Sequence, residues 1–232
     1  MLLQVPTVRT SFSVPDFITS LIKTWYGIYN SVPTKAQIGV IYSQWGIETG
    51  LGTYTWCFNI GNIKAADIPN QTVKYCALNG VYEIVNGQRV EIPSTSPAAW
   101  FRAFDTLDDG VAFYVSFLRN ARYKTSWSAI EQGDPILFAH LLKVAGYYTA
   151  DESIYANGLK YYFNQFMQST IFDVALKTFL EHQDSITFPP DYTPLQFDLK
   201  EDTFERKVFV RASENNKIIK CLNRIKQIIL CK

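Results

Sequence analysis

The chain is short of the side chains that hold metals or run redox chemistry. Its 232 residues include two histidines, four cysteines and two methionines. His140 and His182 lack the i, i+4 partner of a helical zinc site. None of Cys57, Cys76, Cys221 and Cys231 belongs to a C-x-x-C pair, which speaks against a zinc ribbon or a dithiol motif. No metal and no cofactor is expected. Cys57 and Cys76 are left as either a disulfide, in an oxidising setting, or two thiols. A large excess of one charge is missing too. The net charge is +1, whereas a dedicated nucleic-acid binder carries a clear basic surplus, so nucleic acid is not an expected partner. No apolar run approaches the ~18 residues of a transmembrane helix. The opening MLLQVPTVRT is too short for a signal-peptide core and has no cleavage pattern, so neither a leader nor an anchor is expected.

What is present suffices for a substantial core. Hydrophobic residues make up 47% and charged residues 19%, which supports a packed fold rather than disorder. The length fits one large domain, or one of about 150–180 residues with a short extension. Charge is uneven along the chain: Lys200–Lys232 holds nine Lys/Arg against four Asp/Glu, and residues 1–199 hold 13 against 17. Aromatic residues reach 15%. They serve either core packing or a cleft whose Tyr and Trp rings stack on sugar faces.

The local pattern runs from helices to a β insert and back to helices. Residues 1–13 read as an extended lead-in. A helix is expected from Ser13-Val14-Pro15-Asp16 to about Ser31, with Phe17, Leu21, Trp25 and Ile28 on one face. Thr34 is placed to cap a second helix, with Ala36, Val40 and Ile47 as its stripe, ending at Gly50 and Gly52. From about Ile60 to Phe104 there are β-rich segments at Thr72–Tyr75, Val81–Val85 and Arg89–Ile92, the last two separated by an Asn86-Gly87 hairpin signal. Helical pattern returns at Thr106, with Asp109 three residues on. Asp134-Pro135 opens a further helix that Gly146 closes. Residues from about Asp151 to His182 form one long or two consecutive helices. The fold class is α+β, a helical body with a small β-hairpin lobe. A domain is expected over 1–182, with its core at 15–168. Residues 183–232 read as a linker and basic C-terminal extension, with a strand at Lys207–Arg211 and an amphipathic helix at Asn216–Cys231 for packing on the domain, a partner or a membrane surface.

Glu48 is the first chemical candidate. It closes an apolar helix in Gln44-Trp45-Gly46-Ile47-Glu48-Thr49-Gly50-Leu51-Gly52. Desolvation beside Trp45 and the negative helix end both disfavour its charged form, which suits a general acid. The alternative is a helix-terminal Glu that faces water. Four short motifs bear on the choice: Glu48-Thr49-Gly50-Leu51-Gly52, Asn59-Ile60-Gly61-Asn62-Ile63-Lys64-Ala65, Phe101-Arg102-Ala103-Phe104-Asp105-Thr106 and Gly146-Tyr147-Tyr148-Thr149. In this order they resemble the glucosaminidase family of peptidoglycan hydrolases, glycoside hydrolase family 73, found in autolysins, flagellar-rod hydrolases and phage lysins. The resemblance covers roughly residues 34–160.

The resemblance implies a mostly helical lysozyme-like fold, with a long cleft between the helices and the β lobe. It makes Glu48 the catalytic acid and Glu83, three residues before the Asn86-Gly87 turn, the second carboxylate. The threonine usual two residues before that carboxylate is Val81 here, and Glu91 and Asp67 stand in reserve. Tyr147 carries over as a cleft tyrosine. The family's next Asp is displaced by Ala150, which leaves Asp151 as a helix cap. Trp45, Trp56, Asn62, Lys64 and Tyr155 are candidates for the sugar subsites, although Asn62 and Lys64 also suit a purely structural turn. The implied activity is cleavage of β-1,4 bonds in peptidoglycan glycan strands, on the N-acetylglucosamine side. A lytic transglycosylase or muramidase on the same fold is the nearest rival, disfavoured because Gly61-Asn62-Ile63-Lys64-Ala65 replaces the G-L-M-Q-like segment. A phage virion structural or docking protein with a weak site is the rival from another class. The expected place of action is the cell wall, as a virion component or an endolysin. The basic extension would be free to dock on a phage particle or an export apparatus.

Overall fold

A computed structural model of the chain describes residues 1–85, 88–148, 150–182 and 209–210. The helix starts follow local chemistry. In α1 (Val14–Tyr29) the Ser13 hydroxyl accepts the Asp16 N–H while the Asp16 carboxylate accepts the Ser13 N–H. Thr34 and Gln37 close the same reciprocal box on α2 (Lys35–Thr49), which ends at Gly50 in the left-handed region. Thr106 caps α3 (Leu107–Arg119), Asp134 caps α5 (Pro135–Val144) and Asp151 caps α6 (Glu152–Gln168). Each such cap satisfies donors that the first helical turn leaves unpaired. The segment 151–182 is two helices, since α6 is followed by α7 (Ile171–His182). Between α3 and α5 lies α4 (Lys124–Gln132), which the sequence pattern does not announce; its cap position, Tyr123, makes no side-chain capping bond.

The β lobe is two small sheets. In one, β1 (Leu2–Gln4) runs parallel to β2 (Val73–Ala77), which pairs antiparallel with β5 (Trp100–Arg102). Within the extended lead-in, Leu2–Gln4 is a strand, and Phe101-Arg102 belongs to β5. In the other, β3 (Val81–Val85) and β4 (Gln88–Ile92) form the expected hairpin, with Val85 opposite Gln88. The short strand β6 (Phe209–Val210) pairs on the far side of β3 and falls within the expected Lys207–Arg211 segment. The helix expected at Asn216–Cys231 lies outside the described residues. Cys57 and Cys76 are free thiols, buried together in a small apolar cluster with Leu78, Val81, Ala99 and Phe101. The hydrogen bond with the neighbouring Cys57 sulfur, and then burial, push the Cys76 thiol up.

The helical core is built around α2. Its residues from Ile38 to Gly46 are all buried, so it has no solvent face and the expected single stripe does not apply. A helix buried all round must be enclosed by neighbours. Here α6, α4, α5 and α1 enclose it. Contact with α6 is close because Gly46 lies under the Tyr162 ring, where an added Cβ would sit 2.9 Å from the ring carbon. Gly46→Ala is therefore expected to overpack this seam and lower stability by about 1–3 kcal/mol, read as a fall in the chemical-denaturation midpoint. An unchanged midpoint would show that the seam has slack.

Candidate active site

Glu48 occupies the last turn of α2, half-buried, and meets Tyr155 from α6. The Tyr155 hydroxyl donates to Glu48 Oε1 at 3.3 Å. Tyr155 is 8% exposed, and its ring stacks on Tyr148 with centroids 3.9 Å apart. Burial, followed by the charge of Glu48, raises the Tyr155 phenol well above its ordinary range. A phenol so shifted stays protonated and remains a donor at every working pH. Burial also pushes the neighbouring Tyr148 phenol up to about 12, helped by Glu152 and Asp151.

The turn after α2 holds the helix end from below. Asn59 is a buried pin: its amide donates to the Ile63 and Arg102 carbonyls, and its oxygen accepts the Ile63 N–H. Asn62 sits at φ 49 in the left-handed region, and its amide donates to the Glu48 carbonyl at 2.6 Å. That carbonyl is among those a helix terminus leaves unpaired. Gly61 lies against the Tyr114 ring, leaving no room for a Cβ. The Gly61 carbonyl also accepts the Tyr147 hydroxyl at 3.5 Å.

The sequence-derived candidates are distributed unevenly. Tyr155 and Asn62 converge on Glu48, and Tyr147 reaches the same turn. Asn62 is 3% exposed and its amide is directed at backbone. The Lys64 ammonium likewise bonds a backbone carbonyl, that of Ala98, and lies 4.0 Å from the Phe101 ring centre. Trp45 is misplaced by the sequence reading. It is 1% exposed and packs on Phe17 with centroids 4.3 Å apart, inside the core and out of reach of a sugar. Trp56 is half-buried beside the Cys57–Cys76 cluster. Glu83 is on β3 opposite Val90; its side chain lies outside the described residues. Of the reserves, Glu91 is exposed on β4, and Asp67 is ion-paired with the Met1 ammonium at 2.6 Å. Asp151 is the cap of α6 and nothing more is needed to explain it.

Two residues escaped the sequence reading. Gln44, one turn before Glu48, is fully buried and donates to the Tyr155 hydroxyl at 3.4 Å. Tyr114, from α3, donates to the Gln44 oxygen. The available signal was a lone amide four residues before the acid in an apolar helix. Among the described residues, no group of three or more His, Cys, Asp or Glu could hold a metal ion, and no helix is long and apolar enough to cross a membrane.

A carboxyl group held at a buried helix end by a phenol donor is suited to proton transfer, and it lies inside the stretch that defines the protein's class. Residues 31–168 match the profile of the glucosaminidase family, described as mannosyl-glycoprotein endo-beta-N-acetylglucosaminidase. The chain belongs to this family and is a glycoside hydrolase. No curated protein matches it. Among solved structures it is similar to a peptidoglycan hydrolase mutant from Sphingomonas sp. A1, at 22% identity and TM-score 0.46, over 71% of this chain and 99% of that one. It is also similar to the glycoside hydrolase domain of FlgJ from Salmonella typhimurium, at 22% identity and TM-score 0.42, over 75% and 100%.

Two outcomes are expected of this geometry. Asn62→Ala and Asn62→Gly both remove the bond to the Glu48 carbonyl, at about 0.5–1.5 kcal/mol. The alanine loses about 1–2 kcal/mol more because of the left-handed backbone, so denaturation should rank wild type above Gly above Ala. In an ultraviolet titration to pH 11, Tyr155→Phe should give the same tyrosinate amplitude as wild type. A smaller amplitude would mean that Tyr155 ionises in the ordinary range.

Proposed function

We propose that the protein cuts the β-1,4 glycosidic bonds of peptidoglycan glycan strands on the N-acetylglucosamine side, with Glu48 as the general acid. The observation that carries this reading is the Glu48 carboxyl, at the end of a buried helix with the Tyr155 phenol donating to one oxygen, within the family-matching residues. The name of one similar solved protein, a peptidoglycan hydrolase, carries the same polymer.

Glycosidic cleavage passes through an oxocarbenium-like state. Glu48 gives its proton to the bridging oxygen as the C1–O bond breaks, and the bonding pair leaves with that oxygen. Tyr155 then stabilises the carboxylate that remains, since a hydrogen bond to a charged group is the stronger kind. Water completes the reaction at C1, its hydroxide forming the new bond and its second proton leaving to a base. Glu83, on β3 of the lobe, is our candidate for that base and gives inversion. Attack by the substrate's own 2-acetamido oxygen, with Glu83 as stabiliser, gives retention instead, and the anomer first formed separates the two. Tyr147 is proposed as a catalytic-centre tyrosine, and Trp56 as a sugar-stacking residue on the lobe side. The cell wall is the proposed place of action, in the setting of a phage particle or lysin. The basic extension after residue 182 is proposed as the docking element.

Mass spectrometry of fragments released from purified peptidoglycan tests this directly. Reducing N-acetylglucosamine ends are expected from wild type, with the rate lowered at least about 100-fold in Glu48→Gln, the usual scale of general-acid catalysis. Anhydromuramyl ends would make the protein a lytic transglycosylase. No release from several peptidoglycan types would sink the enzymatic reading and favour a docking role.

A further inference from the structure

Gln44 has no place in the chemistry described above, yet it is a primary amide buried completely in the central helix. Burying an amide is costly unless its oxygen and nitrogen both find partners. Both do, and both partners are phenols. Tyr114 donates to Gln44 Oε1, Gln44 Nε2 donates to the Tyr155 hydroxyl at 3.4 Å, and Tyr155 donates to Glu48 Oε1 at 3.3 Å. The chain of bonds leaves α3, crosses α2, turns on α6 and returns to the end of α2.

This chain has a direction. An amide accepts only at oxygen and donates only at nitrogen. Because Tyr114 holds the oxygen, the amide hydrogens face Tyr155. The Tyr155 oxygen is then occupied as an acceptor, and its one proton is left for Glu48. Were the amide turned over, its oxygen would compete for that proton and the carboxyl would lose its donor. The titratable groups bearing on the Tyr155 phenol are Glu48, Tyr147 and Tyr114, and a phenol raised this far does not give up its proton.

We propose that Gln44, locked by Tyr114, is a positioning residue for the general acid. It aims the Tyr155 proton at Glu48 Oε1, which leaves the catalytic proton to the other carboxyl oxygen. The proposal rests on the reading of Glu48 as the acid, and it predicts behaviour that reading alone does not require. Neither Gln44 nor Tyr114 touches the reacting atoms. Their effect is transmitted entirely through the orientation of one hydroxyl.

The test is steady-state kinetics across pH on purified glycan strands, with Gln44→Met, Tyr114→Phe, their double mutant and Glu48→Gln beside wild type. Gln44→Met keeps the volume and removes the amide. Tyr114→Phe removes only the lock, and it serves if Gln44→Met does not fold. Both single variants should lower kcat about 10-fold with KM unchanged. Loss of a donor to the carboxylate favours its protonated form, so the alkaline limb of the profile should move to higher pH in both. The double mutant should lose little more than either single, since all act through one hydroxyl. Variants that lose thermal stability but keep kcat, KM and the pH profile would overturn the proposal and make the pair structural. Additive losses would also overturn it, by showing two separate routes. If wild type releases nothing, or Glu48→Gln matches it, the reading of the acid itself falls and the proposal with it.

Discussion

A helix with no solvent face must find partners for its polar side chains among its neighbours, and α2 carries two whose partners shape the site. Gln44 sits in its middle and Glu48 at its end. Water cannot serve the first and serves the second only in part, so protein donors and acceptors have to be supplied from other helices. The phenols of Tyr114 and Tyr155 meet that demand. Satisfying the buried amide of Gln44 and holding the Glu48 carboxyl both fall to the same Tyr155 hydroxyl. Gly46, lying under Tyr162, brings α6 near enough for both.

The β lobe contributes by fixing where α2 stops. Asn59 ties the turn to β5 through the Arg102 carbonyl, and Asn62 ties the same turn to the Glu48 carbonyl. The two asparagines thus transmit the position of the sheet to the helix terminus across a few residues. Lys64 adds a strut to Ala98, stacked against Phe101. These residues belong to the most recognisable motif in the chain. Each of these residues is engaged in the geometry of the turn.

Much of the fold was legible because it is governed locally. Ser13, Thr34, Thr106, Asp134 and Asp151 announce helix starts through bonds that span three residues at most, and Asn86-Gly87 announces a hairpin by its length. Features set by distant partners were not legible. β1 acquires strand character only from β2, some seventy positions on, and α4 begins at a residue with no side-chain cap. Glu48 and Tyr155 are both site candidates by sequence, yet nothing local says that they touch. Trp45 stands among the sugar-subsite candidates by sequence, near Glu48 along the chain. On a helix enclosed from all sides, adjacency does not tell which way a ring turns, and this one turns towards Phe17.

The bond between Tyr155 and Glu48 joins positions 107 residues apart, and that span has a consequence for biosynthesis. A polypeptide is made from its N-terminus, and contacts of long sequence separation close late. The ribosome delivers α2 and strands β1 to β5 before α6 exists. Until α6 emerges and docks, Glu48 ends a helix whose apolar surface is uncovered and whose carboxyl has no phenol to face. Nascent and truncated chains therefore hold Glu48 without its phenol partner. The Tyr155–Glu48 pairing comes with near-completion of the helical body rather than growing in proportion to chain length.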